Sequence, residues 1–99
     1  MKRVWIGLVH LSPEPGCALI SENSFAQAVA FVTDAKEFVV RLNASAQQHK
    51  MAVVGIEDLE PFEKRLRSHI VAVELKEKAE EAEKTGRLGF GTFYSYRAE

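Results

Sequence analysis

Residues 26–61, AQAVAFVTDAKEFVVRLNASAQQHKMAVVGIEDLEP, carry the pattern that decides the fold class. An apolar run at 26–32 is followed by Asp34 and Glu37, spaced as a capping box in which each side chain satisfies a free backbone N–H. Behind the cap, Ala35, Phe38, Val39, Leu42 and Ala46 recur at helical spacing. A helix with one apolar stripe is therefore expected over 34–49. Residues 51–56 are almost continuously apolar, as in a strand buried on both faces. Strand, helix and strand with joints this short predict a right-handed β-α-β crossover between parallel strands. The alanines of 26–32 also suit a helix starting at Ser24. Strand is preferred because the capped helix start follows at once.

Working outward, residues 4–11 read as a strand that Ser12, Pro13, Pro15 and Gly16 stop. Residues 17–20 can add a short extended piece. Beyond Ile56 the chain turns acidic, and Pro61 suits the first position of a short helix with Phe62 and Leu66 on its apolar edge. Residues 68–73 are expected to be extended or irregular. Leu75, Ala79 and Ala82 then line a charged helix that Gly86 ends, and residues 88–96 form an aromatic strand with Gly89 and Gly91 in it. The order β-β-α-β-α-β predicts one α/β (α+β) domain over residues 1–99. Its expected form is a two-layer sandwich, a mixed four-stranded sheet with helices on one face.

Charge and cysteine usage narrow the function classes. Lys and Arg total 13 against 14 Asp and Glu, so the basic excess that supplies most of a nucleic-acid binder's affinity is missing. One cysteine, Cys17, excludes a disulfide within the chain and points to a reducing compartment. Met1, Lys2 and Arg3 resemble a signal n-region, but the apolar run after them is short, contains His10 and meets Ser12-Pro13. No apolar stretch approaches the roughly 20 residues of a membrane span. A cytoplasmic protein without a membrane or nucleic-acid partner is the expectation.

Candidate sites follow from where the elements end. Ligands of open α/β sheets sit beyond the carboxyl ends of parallel strands. Asp34 follows one such strand, and Glu57 and Asp58 follow its predicted neighbour, so their carboxylates could converge on a cation or on a basic patch. The preferred reading is structural: Asp34 caps a helix, while Asp58 and Glu60 complement the dipole of the next one. His10, His49, His69 and Cys17 lack metal-ligand spacing, and no metal or cofactor is expected. Residues 89–94, GFGTFY, echo the aromatic strand of RNA-recognition folds. Thr92 stands where that strand needs an aromatic, Leu88 displaces its basic residue, and the segment is the last element rather than an internal strand. As a dinucleotide loop it lacks both the third glycine and a following helix. The expected role is a sheet strand whose glycines admit a close neighbour.

Side chains alternate along a strand, so Val4, Ile6 and Leu8 point one way and Trp5, Val9 and Leu11 the other. Phe90, Tyr94 and Tyr96 are expected to share one face of the last strand, with Phe93 opposite. With helices on one face, the other exposes Trp5 and its neighbours, unless the loop over 12–24 folds across it. Such a patch is typical of an interface. The expectation is a non-catalytic binding or regulatory module, a homodimer with a possible protein partner, acting through an open sheet face. Its candidate binding residues are Trp5, His10, Asp34, Glu57, Asp58 and Tyr94. The alternative is a small enzyme with a pocket between sheet and dimer mate, using His10 and one of Asp34, Glu57 or Asp58 as an acid/base pair.

Overall fold

The first two strands, β1 (Arg3–Pro13) and β2 (Ser24–Val32), pair antiparallel from Arg3↔Val32 to Leu11↔Ser24. The structure, a computed structural model, describes residues 1–96. After the β1–β2 hairpin come α1 (Ala35–Gln48), β3 (Met51–Pro61), α2 (Phe62–Ser68), α3 (Val73–Thr85) and the short strands β4 (Gly89–Phe90) and β5 (Tyr94–Ser95). The sheet order is β3-β1-β2-β4, with β5 also on β2, and each neighbouring pair is antiparallel.

The chain therefore forms the expected sandwich of sheet and helices, in the α+β class, with five strands in an antiparallel sheet rather than four in a mixed one. The β-α-β unit is present in altered form. Because β2 and β3 both run antiparallel to β1, they point the same way, but β1 lies between them. The hairpin is the physical cause. It fills one side of β2 with β1, so α1 must carry the chain past that strand to the free side of β1.

Helices lie on both faces, not one. Phe38, Leu42 and Ala46 of α1 are buried with Val9, Leu11, Ala28, Ala30 and Val32. Phe62 of α2 and Ala79 and Ala82 of α3 are buried in a second cluster with Ile6 and Val29. Odd positions of β1 thus meet α1 and even positions meet α2 and α3, as strand alternation requires. The alanines that left β2 ambiguous give α1 a small-residue surface to lie on. Strand geometry wins there because β2 has partners on both edges.

The α1 cap forms with a shift. Asp34 Oδ1 accepts from the Glu37 N–H at 2.9 Å, but the Glu37 carboxylate reaches back one residue further than expected. It accepts from the Thr33 N–H at 2.7 Å and the Thr33 hydroxyl at 2.9 Å. These bonds, the backbone one foremost, hold the Glu37 carboxyl below its ordinary range. At the other end of the fold, Gly86 terminates α3 in the left-handed conformation, φ 73°, which a residue with a Cβ rarely adopts.

Two further departures shape the site. The strand expected over 51–56 continues to Pro61, so Glu57, Asp58 and Glu60 lie within β3 instead of beyond it. Its pairing with β1 slips between Ile6 and Leu8 and again between His10 and Leu11, with Asp58 at φ 53° in the first slip. Such bulges, with acidic side chains, blunt an edge strand against pairing with other chains. The strand expected over 88–96 is broken in two. Four residue steps from Phe90 to Tyr94 oppose three on β2, from Ala28 to Phe25. One extra residue reverses the phase, so Phe90 and Phe93 share the α1 side with ring centroids 5.5 Å apart and planes tilted by 38°, while Tyr94 faces the opposite way.

Candidate functional site, an aromatic row on the open end of the sheet

On the face carrying α2 and α3, those helices pack over Val4, Ile6 and Val29 and leave the other end of β1 and β2 uncovered. The strand register lays a row of side chains across that end. His10 pairs directly with Phe25, and Phe25 pairs with Tyr94 of β5. Tyr96 joins them, its backbone N–H bonded to the Asn23 carbonyl at 2.9 Å. Phe25 and Tyr94 stack at 5.4 Å with ring planes 25° apart. Tyr96 lies 6.1 Å from Phe25 and meets His10 edge-on at 5.8 Å, and His10 lies 6.2 Å from Phe25. Offset and edge-to-face arrangements at these spacings are the favoured ones for aromatic pairs.

An acid closes the row on β3. Glu57 pairs with Leu8, one alternation step from the His10 pair, so its side chain reaches the imidazole. Glu57 Oε2 stands 2.6 Å from His10 Nε2. A carboxylate only accepts, so the imidazole donates from Nε2. The Glu57 side chain is 62% exposed and that of His10 28%. Tyr94, at 57%, is the most open ring.

Beside the row, Arg65 of α2 fixes the bulge of β3. Its side chain is 9% exposed and donates from Nε to Glu60 Oε2 at 2.7 Å and from Nη2 to the Asp58 carbonyl at 2.7 Å. The guanidinium bond holds the Glu60 carboxyl below its ordinary range. Asp58 thus contributes its backbone to this anchor.

The candidate residues separate accordingly. His10, Glu57 and Tyr94 are brought together. Asp34 is not with them: it caps α1 beyond Val32, which pairs with Arg3, about 23 Å along β1 from His10 at strand rise. The expected convergence of Asp34 with Glu57 and Asp58 fails because β3 runs on past those acids. Trp5 is on the α1 side, half-buried against that core, with the Arg3 guanidinium 5.8 Å above its ring. The open apolar face expected around Trp5 is covered by α1. Among the described residues no three His, Cys, Asp or Glu side chains are grouped as metal ligands.

Phe25, Tyr96 and Arg65 were not among the sequence candidates. Phe25 is the first member of the alternation Phe25, Gln27, Val29, Phe31, and it lies outside the strand expected over 26–32 because β2 begins two residues earlier, at Ser24. Arg65 belongs to the basic cluster Lys64-Arg65-x-Arg67, which by sequence reads as a solvated helix face. The structure corrects this for Arg65, which is buried because the bulge of β3 turns the Asp58 carbonyl and Glu60 toward it. Two grooves lie apart from the row. One of about 470 Å³ has Val4, Phe31, Phe62 and Leu66 in its walls, and one of about 440 Å³ lies by Arg41, His49 and Arg87. No family model matches this chain, and no curated protein or solved structure matches it.

Proposed function

We propose that the chain is a non-catalytic binding module that acts through the open end of its sheet, the row of Glu57, His10, Phe25 and Tyr94. The observation that supports this reading is the row itself. Three rings on adjacent strands keep exposed surface where covering by α2 and α3 stops, and exposed aromatic area with a polar end suits recognition better than it suits stability. A homodimer closed over Trp5 has lost the open face that motivated it. Cys17 is free, which fits a reducing compartment such as the cytoplasm. A fragment screen followed by amide chemical-shift mapping tests the proposal. Fragments should perturb residues 10, 25, 57 and 94. Hits confined to either groove would overturn it.

The 2.6 Å contact of His10 with Glu57 favours a second reading, an acid/base pair that orients an imidazole for proton transfer. Hydrolysis of an activated aryl ester separates the two. A catalytic pair requires a rate that falls in both His10→Gln and Glu57→Gln. A rate unchanged by these substitutions leaves the binding role.

A further inference from the structure

Resting on the binding reading above, we infer that the row receives an arginine side chain of a protein partner. Three features converge on that chemistry. The partly exposed rings of His10 and Phe25 offer aromatic surface along which a long side chain can lie toward β3. At the β3 end stands an exposed carboxylate. Glu57 Oε2 is taken by His10, while Oε1 accepts no hydrogen bond among the described residues, so one oxygen remains for an incoming N–H donor. A phosphate-bearing ligand meets repulsion from the same group.

Shape selects arginine among cations. Neighbouring strands are about 4.8 Å apart, so Phe25 lies two strands, about 10 Å, from Glu57. An arginine laid across Phe25 and the partly exposed His10 ring covers that span with its methylene stem and ends with its guanidinium at the carboxylate. The planar group stacks on rings and donates in a fixed fork, whereas a lysine ammonium is a hydrated point charge that does neither.

The test uses the full chain, labelled with nitrogen-15, titrated with acetyl-Gly-Arg-Gly-amide and with the same peptide carrying citrulline, the neutral isostere. The arginine peptide should shift the amides of residues 10, 25, 57 and 94, and the citrulline peptide should bind about two- to fivefold more weakly, the range of an exposed ion pair. Glu57→Gln should remove that difference, and Tyr94→Ala should weaken both peptides. Both positions are exposed, and the unperturbed remainder of each spectrum verifies the fold. Equal binding of the two peptides overturns the arginine assignment. So does a row that answers to uridine or a methyl glycoside but not to arginine, and in that case the binding reading stands. A row that answers to no probe and no fragment overturns both.

Discussion

Replacing Arg65 with methionine removes the anchor of the β3 bulge while keeping most of the side chain's stem. The guanidinium makes two short bonds, to Glu60 and to the Asp58 carbonyl, and a long one of 3.5 Å to Gln27 that contributes little. Breaking a buried ion pair by removing one partner costs about 3–5 kcal/mol, because the remaining charge is stranded. The Glu60 side chain keeps 19% exposure and can recover some water, so the lower end, about 3 kcal/mol, is expected for Arg65→Met. For a domain of this size that corresponds to a fall of about 12–24 °C in melting temperature. Urea titration at pH 7 measures the loss. A pH series supplies an independent check. The pKa of Glu60 is depressed in the folded state, so its stabilisation is complete above the unfolded value and disappears as pH falls through the folded one. The gap between wild type and variant should therefore close in acid. A loss under about 1 kcal/mol at pH 7, with a gap that does not change in acid, would refute the assignment of Arg65 as the anchor.

Leu42→Ala should lose about 2–5 kcal/mol in denaturant, since the side chain is fully buried against the alanine surface of β2; an unchanged midpoint would put the wrong face of α1 inside. Asp34→Ala removes the acceptor for the Glu37 N–H and should lose about 1 kcal/mol, measured the same way. Gly91→Ala would place a Cβ 2.9 Å from Leu75 Cδ2, the movable end of a side chain, so a loss of about 1 kcal/mol is expected by thermal melting. Glu37 has a folded pKa below its unfolded one, so its contribution persists above the unfolded value and is lost as pH falls through the folded one. Thr33→Val, which removes the hydroxyl donor, should flatten that part of the acid limb in a pH-dependent melting series.

What was legible in the sequence was local. Asp34, the stripe of Phe38, Leu42 and Ala46, and Gly86 placed α1 and the end of α3 because caps, helical periodicity and a left-handed terminus depend on residues within a few positions of one another. The alternation of β1 was equally plain, although it was apolar in both phases. That doubled pattern predicts one covered and one open face, whereas β1 is covered by α1 on one face and by α2 and α3 over its first half on the other.

His10, Glu57 and Tyr94 were named as candidates one by one, yet nothing in their spacing joined them. Their meeting depends on which strands are neighbours and on register. The hairpin places β1 between β2 and β3, two slips set Glu57 beside His10, and one extra residue before Tyr94 turns it onto their face. A shift of a single residue in any of these ladders sends a side chain to the opposite side of the sheet. Composition, caps and periodicity therefore determined the elements and the α+β class from the chain alone. The row of rings and its carboxylate was decided by the tertiary structure, because register is a property of paired strands and a single strand's sequence does not contain it.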